Sequence, residues 1–465
     1  MFTLIKSGKV ATSASSKTDS IITPPTTLTP AQLQYGRRLM TQEGTLWAVM
    51  NAIAVPGGLV LTGFALYMGA DAFVLGLVSA LPLVAALLQL WTPQFLVLLG
   101  SRKRVTIYAL TIARLLLLPL TALALVAWLL PQQKGLWLIL FLVILTLFSG
   151  FTAIGGTTWL SWAVTMVPIE KRASYFARRS TIVGLMGLVV TLAAGTLLDN
   201  WKESTPGGEQ VHPAAYFVLL LIAAIFSLTT IFSLKKTPDI ATAPAPGIPR
   251  PKFQDSLIAT WKLLPLRNYL IFRAVWLFAV GLVLPYYTVY MLQNLHLTFT
   301  EISILQNAGM LAMLIATPFW GQIADKYGNS RVIYWTSWFK VLYILLWALI
   351  VPGQPFFPLL AIHLTLAVDA GLTLSSSNLL MNLMPSHGAE NVGYFSVFVA
   401  ATSVISSIGP FIAGIAIGIL ASTQVSLLEM DFGAIQVIFL ASGVLRGLSM
   451  FFFRGFDDKK AVVVG

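Results

Sequence analysis

The chain has no cysteine, only four histidines and few charged residues, and each shortage excludes a class of chemistry. Without cysteine there is no disulfide, no zinc–thiolate site and no thiol nucleophile. Charged residues make up 10% of the 465 residues and hydrophobic residues 57%, and the mean hydropathy is +0.83. Because soluble domains carry about 25% charged residues, the composition predicts a chain surrounded mostly by lipid.

Twelve apolar runs are long enough to cross a bilayer as helices, which takes about 20 residues each. They begin near Thr45, Ala72, Val105, Gly135, Thr181, Ala215, Tyr269, Ser303, Val332, Phe356, Gly393 and Gly433. The sequence therefore predicts an all-α membrane protein with 12 transmembrane helices, which we call spans one to twelve.

The basic residues fall on alternate sides of these spans. Of the 29 Lys and Arg residues, only Lys134 and Lys202 lie in odd-numbered connections, and nearly all others lie in the tails and even-numbered connections. This asymmetry follows the positive-inside rule and predicts both termini in the cytoplasm, with the chain in the cell (inner) membrane. The net charge of +12 then reports topology, and we expect no nucleic-acid partner.

Composition also predicts the domain boundaries. Residues 1–40 are polar and rich in Ser, Thr and Pro, which favours a disordered cytoplasmic tail, with an organellar transit peptide as the alternative. A Pro-rich segment at 235–267 predicts an extended cytoplasmic linker. It separates six-helix bundles at 41–234 and 268–455, and residues 456–465 form a second cytoplasmic tail.

The two bundles repeat each other in order. Matching pairs are Trp47 and Trp276, Pro56 and Pro285, Thr92 and Thr317, Pro93 and Pro318, Arg114 and Lys340, and Tyr175 and Tyr394. Because each half contains six spans, both halves enter the membrane from the same side. They are predicted to be parallel repeats related by an axis along the membrane normal.

A glycine-containing turn, GQIADKYGNSR, links spans eight and nine. It resembles the signature G-x-x-x-D-[RK]-x-G-x-[RK]-[RK] of the major facilitator superfamily (MFS). The matching residues are Gly321, Asp325, Lys326, Gly328 and Arg331, and only Ser330 departs from the pattern. The resemblance covers residues 40 to 455. It implies transport by alternating access, with this turn holding the cytoplasmic side closed.

The residues of this turn have physical reasons for their types. Gly328 permits a tight turn with positive φ, and Asp325 offers a carboxylate to Lys326 or Arg331 as a latch between helices. The alternative is an interfacial turn with solvated charges, which contribute little. The corresponding turn of the first half, near Gly100, lacks the aspartate. One interpretation is an asymmetrical gate; the alternative, which we favour, is that Arg102 to Arg104 serve only as positive-inside anchors.

Asp369 is the carboxylate that the sequence places well inside an apolar span, whereas Asp71, Asp199 and Glu301 lie at span ends. The family resemblance implies that span ten lines a central cavity. A carboxylate there could bind a cationic substrate or carry a coupling proton. The alternative is a structural ion pair with a neighbouring helix.

Other polar and aromatic residues of cavity-facing spans are weaker candidates for the same proton or substrate site: Asn51, Trp159, Tyr286 and Tyr290. Aromatic residues in membrane helices also pack or anchor, which is the alternative. Arg114 and Lys340 are matched by the repeat on peripheral spans, so we interpret them as structural intramembrane charges. Arg273 and Arg446 are attributed to anchoring and packing.

A catalytic site finds no support in the sequence. His363 and Asp369 are six residues apart, which puts them on different faces of an α-helix, and no P-loop is present. We therefore expect no enzyme activity, metal or cofactor, and a monomer with a small-molecule substrate, with a coupling proton as a hypothesis. A sensor, a scaffold or a lipid-handling protein on the same fold is the alternative. Span five also lacks the G-x-x-x-G-P-x-x-G-G signature of proton-coupled drug antiporters.

Overall fold

The structure is a computed structural model. It describes residues 28–205, 208–239, 253–353, 356–384, 390–421, 425–427 and 430–453. Most of the first predicted tail (1–40), all of the second (456–465) and the centre of the predicted linker lie outside these ranges.

In the described part of the first half, the chain forms nine α-helices. They are α1 (Pro30–Ala54), α2 (Leu59–Tyr67), α3 (Ala72–Ala85), α4 (Thr92–Leu99), α5 (Arg102–Leu115), α6 (Leu117–Leu129), α7 (Lys134–Thr165), α8 (Arg172–Asn200) and α9 (Pro213–Lys236). A hairpin of β1 (Lys202–Thr205) and β2 (Gly208–Val211) joins α8 to α9 with antiparallel pairing. Short 3₁₀ turns cover Ala86–Trp91, Pro131–Gln133 and Ile169–Lys171.

The described residues of the second half form nine further α-helices. They are α10 (Phe253–Lys262), α11 (Leu264–Val283), α12 (Tyr286–Val289), α13 (Phe299–Tyr327), α14 (Asn329–Ala348), α15 (Phe356–Leu364), α16 (Ala367–Leu383), α17 (Glu390–Leu420) and α18 (Ala434–Ser449). A π-helix covers Tyr290–Asn294. Strands β3 (Val425–Leu427) and β4 (Met430–Phe432) pair as an antiparallel hairpin before α18.

Each of the twelve predicted apolar runs falls on these helices. Consecutive helices combine into ten stretches that are long and apolar enough to cross a membrane in the described part of the chain. The other two runs correspond to α14, which packs on α16 and α18, and to the shorter α18, which packs on α11. Length, composition and packing therefore agree with the predicted all-α membrane fold.

Two predicted boundaries differ from the structure. Helix α1 begins at Pro30, inside the segment predicted as tail, because Thr29 and Gln32 form a capping box and Pro30 occupies the first turn. The linker predicted to be extended contains α10, and α11 already begins at Leu264. The residues that cap a helix are polar, so the start they set does not appear in the hydropathy pattern. For this reason the apolar runs did not predict where α1 begins.

The connections that carry most of the bases meet at one end of the bundle, which we call the basic end. In the first half Ser101 Oγ donates to Asp239 at 2.7 Å, and Lys103 Nζ donates to the Thr237 carbonyl at 2.7 Å. Gly328 lies between α13 and α14 with φ +89°, as predicted for the tight turn. This is the end that the sequence assigns to the cytoplasm.

The two halves contact each other mainly through two helix pairs, α3 against α17 and α8 against α13. Asp199 at the end of α8 accepts hydrogen bonds from the backbone amides of Phe299 and Thr300, at 3.0 and 2.6 Å, and so caps α13 across the interface. Nearby, Ser303 Oγ donates to the Thr191 carbonyl at 3.1 Å. These contacts lie opposite the basic end, in what we call the closed end.

Glycine allows the backbones to meet there. A Cβ added at Gly414 on α17 would lie 2.8 Å from Phe73 Cα and 2.9 Å from the Ala72 carbonyl oxygen. Within the described ranges, all hydrogen bonds that join the halves lie between the closed end and the middle of the bundle. The one farthest from the closed end is donated by Asn307 Nδ2 to the Leu188 carbonyl, at 2.9 Å. The halves are thus held together at the closed end.

Candidate functional site

A cavity of about 760 Å³ lies between the two halves. The first half contributes the turn Val55–Gly58 and part of α3, and the second half contributes residues of α11 to α16 and α18. Its polar lining includes Ser79, Tyr287, Gln306, Lys340, Tyr343, His363, Asp369 and Arg446. A volume in this range is typical of small-molecule sites.

The strongest interaction in the cavity wall is an ion pair between α14 and α16. Lys340 Nζ lies 3.0 Å from Asp369 Oδ2, with side chains that are 7% and 29% exposed. The ammonium group also lies 3.7 Å from the centre of the Tyr343 ring, a cation–π contact. The structure therefore brings together two residues that the sequence treated separately, since Lys340 had been placed on a peripheral span.

The prediction that His363 and Asp369 lie on different helical faces is wrong, since both line this cavity. The helix is interrupted between α15 and α16, where Leu366 N donates to the His363 carbonyl and Asp369 N to the Leu366 carbonyl. These i→i+3 bonds give a 3₁₀ turn with three residues per turn. Residues six apart therefore return to the same side.

Arg446 on α18 is the second cation of the cavity wall. It is 2% exposed, its guanidinium lies 5.7 Å from the centre of the Trp276 ring, and Tyr287 lies beside it. Its Nε has no hydrogen-bond partner within the described part of the chain. Sequence reasoning attributed Arg446 to packing, although an arginine within a membrane helix was itself a signal for a site.

Tyr286 and Tyr290 do not line the cavity; they are buried in helix contacts. Tyr286 Oη donates to the Ala72 carbonyl at 2.9 Å and lies 3.2 Å from the Pro410 carbonyl oxygen, between α3 and α17. Tyr290 Oη donates to the Ile350 carbonyl at 2.5 Å. The neighbouring Tyr287 faces the cavity instead. It lies in α12, which begins after Pro285 where α11 has already ended.

Asn51 and Trp159 also lie outside the cavity lining. The Asn51 carbonyl accepts from the amide of Val55 where α1 ends. The Trp159 ring lies 4.2 Å from the Arg179 guanidinium. Trp159 thus belongs to a separate charged cluster, which sequence reasoning missed.

Glu43 is the centre of that cluster. It is 4% exposed and lies 3.3 Å from Arg179 and 3.9 Å from Arg114, while Arg114 Nε donates to Thr230 Oγ1 at 3.3 Å. Asp369 is therefore not the sole carboxylate inside a membrane helix. Sequence reasoning missed Glu43, which lies in α1 just before the first predicted apolar run at Thr45. Arg114 thus lies in an ion-pair cluster, and its structural role stays a prediction.

Among the described residues, the charged side chains of the signature turn form no ion pair that could act as a latch. Asp325 is exposed and makes no ion pair within the described ranges, and Lys326 Nζ lies 5.1 Å from the centre of the Tyr327 ring. Arg331 is also exposed. A Cβ at Gly321 would meet only Leu374, at 3.8 Å. The turn lies at the basic end, where the halves share no hydrogen bond between described residues.

Comparison with solved structures shows that transporters share this fold. A crystal structure of the nucleoside transporter NupG has a TM-score of 0.63 at 12% identity and covers 91% of this chain and all of its own. A crystal structure of a D-xylose-proton symporter has a TM-score of 0.64 at 12% identity, covering 92% and 99%. At these identities the likeness shows a shared fold.

Sequence comparison points the same way. The quinolone resistance protein NorA of Staphylococcus aureus is 30% identical over 137 residues, which cover 29% of this chain and 34% of NorA. The matched segment thus spans about a third of that relative. A family model described as Major Facilitator Superfamily matches residues 39–410 and 277–463. These matches cover most of the chain, which therefore belongs to the Major Facilitator Superfamily.

Proposed function

We propose that this protein is a secondary transporter that carries a small solute through the cavity by alternating access. The observation that carries the proposal is that both halves line the cavity while their contacts gather at one end. A site between two such repeats becomes accessible from either side when one half rocks against the other. Family membership supports the same function.

The arrangement of contacts suggests which side is open. The closed end is joined by the Asp199 cap and by close backbone packing at Gly414, whereas Asp325 at the basic end is unpaired among the described residues. We infer a conformation that admits solute from the basic end. In the opposite conformation the Asp199 cap would open and the signature turn would close against the other half.

The Lys340–Asp369 pair is our candidate for coupling transport to a proton. Asp369 is the more exposed partner, at 29%, so a proton can reach its carboxylate from the cavity. Protonation would remove the charge that holds Lys340 at 3.0 Å and leave a buried ammonium to find another partner. Proton arrival would thereby change the arrangement of α14 and α16.

The test is flux in proteoliposomes. Vesicles with and without the protein are incubated with a defined mixture of anionic, cationic and neutral metabolites, and the internal solutes are measured by mass spectrometry with and without a pH gradient. We expect wild-type protein to accumulate at least one solute, more strongly with the gradient. Asp369→Asn should retain downhill flux and lose the gradient dependence.

Glu203→Gln is the matched control, because its carboxylate is 63% exposed on a hairpin outside the cavity. Gradient-dependent flux in Asp369→Asn equal to that of this control would rule out coupling through Asp369. No solute accumulating beyond the level of empty vesicles would rule out transport itself.

A further inference from the structure

We propose that the cavity selects an organic anion, a small molecule with a carboxylate or similar oxyanion attached to an apolar, preferably aromatic, body. The oxyanion would bind at Arg446, and the body would lie against the aromatic wall. This inference deepens the proposed function and rests on it in one respect, that this cavity is the substrate site.

The charges of the cavity do not balance. Two cations, Lys340 and Arg446, line it, and Asp369 is the one carboxylate among its described lining residues. Asp369 is already paired with Lys340 at 3.0 Å, while no carboxylate of the described residues lies within 4.0 Å of Arg446. The remaining titratable lining groups are His363, Tyr287 and Tyr343. At neutral pH a lining with neutral histidine carries one excess positive charge.

That excess charge is located on a group shielded from bulk water. Arg446 is 2% exposed, and its Nε lacks a hydrogen-bond partner among the described residues. The contacts it does have, the Trp276 ring and the neighbouring Tyr287, carry no full negative charge. Burying a charge without a counter-ion is unfavourable. An oxyanion in the cavity would offset this cost, and arginine binds planar oxyanions through two parallel N–H groups.

Most of the remaining wall is apolar and aromatic. The large side chains are Trp276, Tyr287, Met291, Met310, Met313, Tyr343 and Trp347. Trp276 and Tyr287 are also the neighbours of Arg446. A ligand whose oxyanion meets Arg446 would therefore place its body among aromatic rings, and an amphipathic anion satisfies both requirements.

The rest of the interior has the same sign of charge. In the first half Glu43 faces two arginines, Arg114 and Arg179. A second cavity of about 670 Å³ near the basic end is lined by Arg37, Arg38, Lys171, Arg178 and Arg179, without a carboxylate among its lining. Clefts lined by one sign of charge raise the local concentration of opposite ions. Anions would thus be favoured from the basic end inward.

A cationic substrate fits the same geometry poorly. Its natural partner would be Asp369, but the Lys340 ammonium already occupies one oxygen of that carboxylate and is held in place by the Tyr343 ring. A ligand cation would have to displace Lys340 and approach Arg446 as well. The carboxylate that first suggested a cation site therefore belongs to the protein's own ion pair.

The test compares three probes of similar shape and different charge: phenylpropionate, phenylpropylamine and phenylpropanol. Isothermal titration calorimetry on the purified full chain measures their binding. We expect phenylpropionate to bind about tenfold or more tighter than the other two, and Arg446→Gln to remove about that factor, as expected for a hydrogen bond to a charged group. Arg446→Lys should retain part of the affinity.

Two further variants separate a charge effect from misfolding. Asp369→Asn frees Lys340 and should tighten phenylpropionate binding, a gain that damage to the fold does not produce. Arg104→Gln removes an exposed cation outside the cavity and should leave binding unchanged. The proposal is overturned if the amine or the alcohol binds as tightly as the anion, if Arg446→Gln binds like wild type, or if phenylpropionate fails to bind.

Flux and binding together distinguish this inference from the proposed function. Proteoliposomes that accumulate only cationic or neutral solutes would refute the anion selectivity and leave transport standing. Anions that bind through Arg446 but never cross the membrane would refute transport and leave the ligand class standing.

Discussion

Replacing Gly414 by alanine should shift the protein away from the conformation described here. The added Cβ would lie 2.8 Å from Phe73 Cα and 2.9 Å from the Ala72 carbonyl oxygen. Both are backbone atoms, which cannot rotate aside as a flexible side chain could. The clash exists only while α3 and α17 are in contact at the closed end, so it destabilises that conformation and is relieved when this end opens.

The size of the effect follows from the cost of overpacking, about 1–3 kcal/mol for an added methylene-sized group. A shift of that size changes a conformational equilibrium by about 5- to 150-fold. Gly418→Ala is a matched control one turn further along α17, because a Cβ there would meet nothing within 4 Å. Both variants change helix propensity equally, so their difference isolates the contact.

The assay uses the absence of native cysteine. Ser303 is fully buried at the closed end, so a cysteine introduced there, Ser303→Cys, should react with a maleimide only when that end opens. We expect the labelling rate to be about 5- to 150-fold higher in the Gly414→Ala background than in the Gly418→Ala background. Equal labelling rates in the two backgrounds would show that the α3–α17 contact does not control opening.

Two further predictions use the other contacts of the bundle. Asp199→Ala removes the cap of α13, worth about 1 kcal/mol, and should speed labelling of Ser303→Cys. Ser101→Ala, which removes the cap of α5 at the basic end, should not. Equal effects would contradict the role of Asp199 at the interface. Glu43→Gln should lower stability by about 3 kcal/mol, because it leaves the buried Arg114 and the partly buried Arg179 without a carboxylate. Arg114→Gln should lower stability less than Glu43→Gln, since Glu43 keeps Arg179 as a partner at 3.3 Å. Thermal unfolding followed by circular dichroism measures both losses, and a larger loss for Arg114→Gln would contradict the prediction.

The sequence predicted the helices well because hydropathy and charge alternation act along the whole chain. It failed where a helix is specified by other means. The first turns of α1 are polar, and a capping box at Thr29 and Gln32 starts the helix. The first apolar run was therefore placed near Thr45, and Glu43, which precedes it, was not considered as an intramembrane carboxylate. Its burial depends on Arg114 and Arg179 from two other helices, a contact that apolar runs do not encode.

The cavity was predicted only in part for a related reason. Asp369 was found because a carboxylate within an apolar span can be recognised without knowing how the helix is rotated. Choosing Tyr287 rather than Tyr286 required the rotation of the helix after Pro285, where α11 has ended and the short α12 begins. The 3₁₀ turn before Asp369 likewise brought His363 into the cavity. Local departures from 3.6 residues per turn decide which face a residue occupies, and single-sequence periodicity assumes there are none.

The repeat between the halves explains why one of two similar ion pairs is the better candidate for a moving part. Arg114 and Lys340 occupy matching positions, and each is a buried cation that needs a carboxylate. Arg114 shares Glu43 with Arg179, and the Glu43 side chain is 5% exposed. Lys340 alone holds Asp369, whose side chain is 29% exposed beside the cavity. A pair that must open during transport needs a partner that solvent or solute can reach, and that condition selects Lys340–Asp369.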